Sequence, residues 1–112
     1  MYCRVLEGKA QPGRVAEVLE VVAQQVEKVK KAKGFLFVQV LQGGDEIIAV
    51  SSWRTAKDLR AYAESELAQD MLARLSSLLE GVPTVRNFEI KLVVEGMEGI
   101  EGFFSHDEGG EG

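Results

Sequence analysis

Cysteine and histidine are nearly missing from this sequence, which contains one of each in 112 residues. The lone Cys3 cannot form an intramolecular disulfide, and it cannot build a thiolate metal site by itself. The single histidine, His106, lies near the end of the chain, so no Ser-His-Asp or Cys-His catalytic set is predicted. No glycine-rich loop opens a helix, which excludes a phosphate-binding loop. We therefore expect no metal site and no bound cofactor.

Long hydrophobic runs are missing as well. No apolar stretch approaches the ~18 residues that suggest a membrane-spanning helix. The first residues, MYCRVLEG, contain no apolar segment of the kind that directs a protein to export. At 112 residues the chain suits one domain. We therefore expect a cytoplasmic protein that makes no contact with a membrane.

The net charge of −5 comes from the end of the chain. Residues 1–95 contain 13 basic and 13 acidic residues, whereas residues 96–112 contain the remaining five of the 18 acidic residues and no basic one. The basic cluster at 28–33 is typical of a helix C-terminus, where cations complement the macrodipole. Because no basic stripe with interleaved aromatic residues is present, we expect no nucleic-acid partner.

The acidic segment at 96–112 follows a domain that we place at 1–95, and it carries six of the twelve glycines. Such a composition alone predicts disorder. Its apolar residues at 97, 100, 103 and 104 favour instead an arm that docks on its own or a neighbouring subunit. Such an arm would cap a cavity or tie dimers into a higher oligomer.

Hydrophobic periodicity and turn residues predict the elements of the domain. Apolar residues three or four positions apart from Val15 to Val29 predict a helix, and Gly34 follows it as a stop signal. Thr55 and Ser65 are typical N-caps of two further helices before a turn at 80–83. The turn at 43–46 has the glycines that a hairpin requires. Strands are predicted at 2–8, 35–41, 47–53 and 84–95.

This order, β-α-β-β-α-β, is typical of an α+β fold with ferredoxin-like, split β-α-β topology. A four-stranded antiparallel sheet would carry its helices on one face. Both faces of the central hairpin are apolar, however, and helices cover only one of them. A second copy of the sheet is the simplest cover for the other face, so we expect a homodimer formed by sheet-on-sheet packing.

Three segments carry a resemblance to a known family: PG before the first helix, KGFLFVQVL at the second strand, and SSWRTAKDLRAYAES from the third strand into its helix. Over residues 1 to about 95 the chain resembles the antibiotic-biosynthesis monooxygenase-like (ABM) domains of the dimeric α+β barrel superfamily. The resemblance implies a homodimer whose two sheets form a barrel. It also implies a ligand cavity in each subunit, between the sheet and the helices.

Some members of that family oxidise phenols with molecular oxygen and no cofactor, and others bind and degrade haem. The haem-degrading members use a helix histidine and a helix tryptophan. In an alignment on Trp53 these positions fall near Leu72 and on Tyr62, so the resemblance argues against haem. Binding or degradation of haem is left as the weaker alternative.

The candidate pocket residues are those that offer an apolar wall or a hydrogen-bond donor to a phenol. Trp53 either lines the cavity or plugs the core, and Tyr62 either donates its hydroxyl or packs beside Leu59. At most one of Arg86 and Asn87 can face the cavity, because adjacent strand residues point to opposite faces. The full set is Trp53, Tyr62, Leu59, Ser51, Arg86 and Asn87.

Two functions from different classes stay open on this evidence. The first is cofactor-independent oxidation of a phenolic or quinol-type compound, in which the protein supplies a dry pocket and donors for the phenolate. The second is a non-catalytic module that binds a small apolar or aromatic molecule. No catalytic residue can be assigned from the sequence.

Overall fold

The computed structural model of the chain describes residues 1–97. It confirms the predicted order of elements, with the second helical region divided into two helices. No helix in this part of the chain is both long enough and apolar enough to cross a membrane. The elements are β1 (Tyr2–Lys9), α1 (Val15–Val29), β2 (Phe35–Gly43), β3 (Glu46–Trp53), α2 (Ala56–Ala63), α3 (Glu66–Ser76) and β4 (Thr84–Glu89).

Both predicted helix caps are present. The Thr55 hydroxyl oxygen accepts a hydrogen bond from the Asp58 N–H at 3.0 Å, and the Ser65 hydroxyl oxygen accepts one from the Ala68 N–H at 3.2 Å. Ser65 also donates from its hydroxyl to the Tyr62 carbonyl at 2.6 Å. One serine therefore ends α2 and begins α3, which fixes the corner beside Tyr62.

The four strands form one antiparallel sheet in the order β2-β3-β1-β4. In the two central strands, Arg4 is paired with Ser51 and Leu6 with Ala49, so these four residues share one face of the sheet. The core lies between this face and the helices. Leu6 and Ile47 from the sheet pack with Val18 of α1 and other buried residues. The sheet therefore carries its helices on one face, as predicted.

The opposite face of the sheet is also apolar. Phe37 is 38% exposed, Leu41 48% and Phe88 45%. Strand pairing places these three side chains on the same face as Val5, Ile48 and Val50. The prediction of a hairpin with two apolar faces is therefore confirmed, whereas the dimer that it suggested stays a prediction.

The last strand is shorter than the sequence pattern predicts, because it ends at Glu89 rather than at residue 95. The physical reason is the length of its partner strand. Glu89 is already paired with Tyr2 at the start of β1, and only the Ile90 N–H continues, donating to the Met1 carbonyl at 2.8 Å. Beyond this point Leu92 and Val94 are exposed. Most of the predicted C-terminal arm, from residue 98 onward, lies outside the described residues.

Candidate functional site

Two clusters of buried side chains make up the core, and a cavity borders both of them. The first cluster joins the sheet to α1 and α3 and includes Leu6 and Met71. The second joins α1 and β3 to the α2–α3 corner and includes Val29, Trp53 and Tyr62. Leu6, Met71, Val29 and Tyr62 all line the cavity. Incomplete packing where the two clusters meet therefore leaves a space below α1.

This cavity is small and mainly apolar. Its interior volume is about 40 Å³, and about 390 Å³ of empty space is counted when the open mouth is included. Pockets that bind drug-sized ligands usually have volumes of about 300–1,000 Å³. A ligand larger than a few atoms must therefore extend through the mouth or displace a lining side chain. The lining residues are Arg4, Leu6, Val22, Gln25, Val26, Val29, Val38, Ala49, Ser51, Tyr62 and Met71.

A buried polar pair forms one part of the lining. The Gln25 side-chain amide of α1 donates to the Tyr62 hydroxyl of α2 at 3.0 Å and to the Leu67 carbonyl at 2.9 Å. Gln25 is 3% exposed and Tyr62 is 8% exposed. Because the Tyr62 oxygen accepts this bond, its own proton stays available for donation. The pair holds the Tyr62 hydroxyl in one position, and both of its residues line the cavity.

A partly buried cation forms the other part. The Arg4 guanidinium carbon lies 5.8 Å from the centre of the Tyr62 ring, a cation–π contact. Burial lowers the pKa of the Arg4 guanidinium, while the nearby Tyr62 hydroxyl raises it by a smaller amount. Ser51 lies beside Arg4 on the neighbouring strand and also lines the cavity. Arg4 therefore brings a positive charge to an apolar site.

Trp53 fills the core and does not line this cavity. The side chain is fully buried, and its indole N–H donates to the Ser51 hydroxyl at 3.0 Å. Its ring stacks on Tyr62, with centroids 5.0 Å apart, and meets the edge of Phe35 at 5.5 Å. Its full burial fits the interpretation of Trp53 as a plug, although Trp53 also borders a separate, more open pocket beside α2. Through these contacts Trp53 positions both Tyr62 and Ser51.

The other candidates have different surroundings. Leu59 is buried in the second cluster and does not reach the cavity. Arg86 lies on the opposite face of the sheet, where it pairs with Glu7 at 3.5 Å and lies over the Phe88 ring. Asn87 shares the helix-covered face and is paired with Arg4, but it is exposed and outside the lining. Of the six candidates, the structure brings Tyr62 and Ser51 together at the cavity.

Two polar residues of the lining, Arg4 and Gln25, were missed by the sequence reasoning. A signal for each exists in the alternation pattern. Gln25 interrupts the buried stripe of α1 between Val22 and Val29, and Arg4 alternates with the apolar Leu6 on β1. A polar residue on an otherwise buried face either makes a hydrogen bond within the core or lines a cavity. Gln25 does both, since it donates to Tyr62 and Leu67 and lines the cavity.

Within residues 1–97, the cavity offers hydrogen-bond donors and a cation. Tyr62, Gln25, Ser51 and Arg4 are the polar residues that this part of the chain contributes, and it contributes no histidine, carboxylate, lysine or cysteine to the lining. Such a set can orient and stabilise an oxygen-bearing ligand, particularly one with negative charge. It cannot remove a proton from a ligand with an ordinary general base.

The residues that align with the haem-degrading members do not form a haem site here. Tyr62 lies against Trp53 inside the core, and Leu72 packs on the first cluster outside the cavity lining. His106 lies outside the described residues. An interior of about 40 Å³ would also require α1 to move before a porphyrin could enter.

Fold and site together define a small α+β protein with an apolar cavity between an antiparallel sheet and its first helix. Residues 1–74 match the model of the family described as antibiotic biosynthesis monooxygenase. The chain therefore belongs to that family, as its resemblance had indicated. No curated protein matches the chain.

Solved structures share the fold at low sequence identity. A protein from Deinococcus radiodurans, provisionally named an antibiotic biosynthesis monooxygenase, superimposes with a TM-score of 0.75 at 11% identity, covering 87% of this chain and 99% of its own. A protein with the same provisional name from Bordetella bronchiseptica superimposes with a TM-score of 0.70 at 21% sequence identity, and the match covers 82% of this chain and 97% of its own. A conserved protein from Methanosarcina mazei superimposes with a TM-score of 0.71 at 18% sequence identity, and the match covers 81% of this chain and 94% of its own. These likenesses concern the fold.

Proposed function

We propose that this chain is a cytoplasmic protein that binds a small aromatic molecule in the cavity and oxidises a phenol or quinol with molecular oxygen, without a bound cofactor. The observation that carries the proposal is the fixed Tyr62 hydroxyl, held by Gln25 and close to Arg4, at the edge of an otherwise apolar cavity. An electron-rich phenolate needs an apolar pocket and donors to its oxygen. The apolar lining supplies the first, and Tyr62 and Arg4 supply the second.

The proposed reaction balances without another reductant. A phenol and one molecule of oxygen give a quinone and one molecule of water. A ring C–H bond is replaced by C=O, one oxygen atom enters the product, and the other leaves as water. The ring loses four electrons and oxygen gains four. In this scheme Tyr62 and Arg4 stabilise the phenolate, from which electron transfer to oxygen starts.

A second candidate function is non-catalytic binding of a small aromatic molecule. The observation that favours it concerns the lining from residues 1–97, in which no side chain can take up the phenol proton at neutral pH as an ordinary general base. Under the oxidation proposal, the substrate must arrive ionised or lose its proton to water. Under the binding proposal, the cavity only has to hold its ligand.

Oxygen uptake separates the two candidates. The purified chain would be supplied with a panel of phenols and quinols in an oxygen-electrode cell, with the products identified by mass spectrometry. Oxidation predicts consumption of one oxygen molecule per quinone formed. Tyr62→Phe should lower kcat/KM by about a hundredfold, as expected for a donor to a developing oxyanion.

Tyr2→Phe is the matched control, because Tyr2 packs on the second cluster but does not line the cavity. It should leave kcat/KM close to the unmodified value. If the panel binds but no oxygen is consumed, oxidation is wrong and the binding module stands. If Tyr62→Phe and Tyr2→Phe lower kcat/KM equally, the proposed role of Tyr62 is wrong.

We also propose that the open apolar face packs against the same face of a second copy. Support comes from the exposure of Phe37, Leu41 and Phe88 on a face that no element within residues 1–97 covers. Large contiguous apolar surfaces of this kind typically mark interfaces. A sheet-on-sheet dimer would bury all three.

Sedimentation at micromolar concentration tests the dimer. The unmodified chain should sediment with twice the mass of one chain, and Leu41→Glu on the open face should shift it toward one chain. Val82→Glu, which changes a side chain that is 92% exposed outside the strands, should have no effect. A single-chain mass for the unmodified protein would exclude the dimer.

The sequence motivates a further proposal for residues 96–112, as an arm that docks on its own or a neighbouring subunit. Deletion of this segment should lower the oligomer mass or the melting temperature. If both are unchanged, the arm has no docking role.

A further inference from the structure

Arg4 is a positive charge at the edge of the cavity that forms no ion pair with the described part of the chain. Its side chain is nevertheless partly buried, against the ring of Tyr62 and among lining residues that are mainly apolar. Arginine keeps its charge in proteins at neutral pH. Partial burial removes water from the guanidinium at a cost in free energy. No ion pair with a carboxylate of residues 1–97 offsets that cost.

Two acidic residues, one on the strand of Arg4 and one on the neighbouring β4, form ion pairs with other residues. Glu7, on the same strand, points to the opposite face of the sheet and pairs with Arg86 at 3.5 Å. Glu89, on β4, pairs with Lys91 at 3.0 Å. The residues paired directly with Arg4 in the sheet are the neutral Ser51 and Asn87. An anion that enters the cavity could therefore compensate a charge that no carboxylate within residues 1–97 is paired with.

The other polar groups of the cavity fit an anion as well. The Tyr62 hydroxyl accepts from Gln25 and keeps its own proton for donation, so it can hydrogen-bond to a negatively charged oxygen. No carboxylate among the described residues lines the cavity to repel such an oxygen. Charge-assisted hydrogen bonds from these two groups are stronger than those between neutral partners.

We propose that Arg4 makes the cavity selective for small apolar or aromatic molecules that carry one oxyanion, a carboxylate or a phenolate, which binds between the Arg4 guanidinium and the Tyr62 hydroxyl. The ligand's apolar part lies against the valines of α1 or extends through the mouth. This inference deepens the proposed function and rests on its claim that the cavity binds ligands. It adds that the ligand arrives already ionised, which also accounts for a lining without a base.

Pairs of probes that differ in charge test the proposal. Benzoate and benzamide have the same shape, but only benzoate is charged at neutral pH. The ionised 2,4-dinitrophenol and the neutral 1,3-dinitrobenzene form a second pair, which distinguishes a phenolate from a carboxylate. Calorimetric titration of the full chain should show that the anion of at least one pair binds about tenfold tighter than its neutral partner.

Variants of Arg4 test whether the preference for the anionic probe depends on this residue. Arg4→Gln should reduce the anion-to-neutral affinity ratio to about one, because the charge-assisted bond is lost. Arg4→Lys should restore part of it. The control is Arg60→Gln, which removes an equal charge from an exposed position of α2 outside the cavity lining and should leave the ratio unchanged. Circular dichroism and melting temperature show that each variant is folded.

The outcomes distinguish this inference from the proposed function. If neutral probes bind as tightly as their anions, the role of Arg4 is wrong and the cavity still binds ligands. If a folded Arg4→Gln keeps the preference, the anion binds elsewhere and the inference is overturned. If no probe of either charge binds, both fail. An anion preference that depends on Arg4, in a chain that consumes no oxygen, supports the inference and rejects the proposed oxidation.

Discussion

Gln25 of α1 donates a hydrogen bond to the hydroxyl of Tyr62 of α2 at 3.0 Å, across 37 positions of the sequence. The bond is buried and connects the helix above the cavity to the helix beside it. Trp53 stacks on the same tyrosine ring, so one residue is held by a polar contact at its tip and by an aromatic contact on its face. The position of the Tyr62 hydroxyl therefore depends on both Gln25 and Trp53.

The first prediction concerns the coupling of Gln25 and Tyr62. Gln25→Leu should lower the free energy of unfolding by about 1–3 kcal/mol, because it removes the bonds to the Tyr62 hydroxyl and the Leu67 carbonyl. The double variant Gln25→Leu/Tyr62→Phe should lose less free energy of unfolding than the two single variants lose in total, by at least about 0.5 kcal/mol. Urea denaturation measures all three variants. Gln69→Leu, at an exposed position of α3, is the control, and strict additivity would contradict the coupling.

The second prediction concerns Trp53 as a plug. Trp53→Phe should lower the free energy of unfolding by about 0.5–3 kcal/mol, since it removes buried area and the bond to Ser51. The benzoate-to-benzamide affinity ratio should change little, because a phenylalanine at this position can still pack on the Tyr62 ring while Gln25 holds the Tyr62 hydroxyl. Denaturation and calorimetry on the same sample measure the two effects. Loss of that ratio with unchanged stability would make Trp53 a cavity wall after all.

The third prediction compares two glycines that share a left-handed backbone. Gly13 has φ 79° with open space around it, whereas a Cβ at Gly34, with φ 81°, would lie 2.6 Å from the Asp58 Cβ. Gly13→Ala should lower the free energy of unfolding by about 1–2 kcal/mol through the backbone alone. Gly34→Ala should lower it by at least about 1 kcal/mol more, because of the steric overlap. Thermal denaturation measures both, and equal losses would show that the contact with Asp58 relaxes freely.

The fourth prediction concerns the N-cap of α2. Thr55→Ala should lower the free energy of unfolding by about 1 kcal/mol, because the Asp58 N–H loses its acceptor. Thr55→Ser keeps the hydroxyl and should retain most of the stability. Guanidinium denaturation measures the pair. If serine and alanine destabilise the chain equally, the methyl group of Thr55 matters more than its cap.

Most of the fold could be predicted from local patterns in the sequence. The valines of α1 recur at helical spacing, the glycines at 43 and 44 allow a hairpin, and Thr55 and Ser65 cap their helices as predicted. These signals are local because backbone hydrogen bonding and capping depend on neighbours in the chain. The end of β4 was not predicted, because it depends on where its partner β1 begins.

The candidate site could be predicted only in part. Tyr62 and Ser51 could be found because they flank the strand-to-helix corner. Arg86 was a candidate because it is a cation early in β4, but strand register places it on the opposite face of the sheet. Gln25 and Arg4 were missed because each looks like an ordinary surface residue when read alone. The spacing of Gln25 from Val22 and Val29, and of Arg4 from Leu6, places each on a buried face, but only the packed structure shows that both faces border one cavity.

The sequence by itself determined the elements, their order, the resemblance to a family and the two apolar faces of the hairpin, because period and turn chemistry act over a few residues. Only the tertiary structure decided that Trp53 fills the core, that Gln25 holds the Tyr62 hydroxyl, and that Arg4 lies beside it with no protein carboxylate paired to it within residues 1–97. These facts depend on packing between segments that are distant in the chain. A cavity is what such packing leaves unfilled, so no local pattern encodes it.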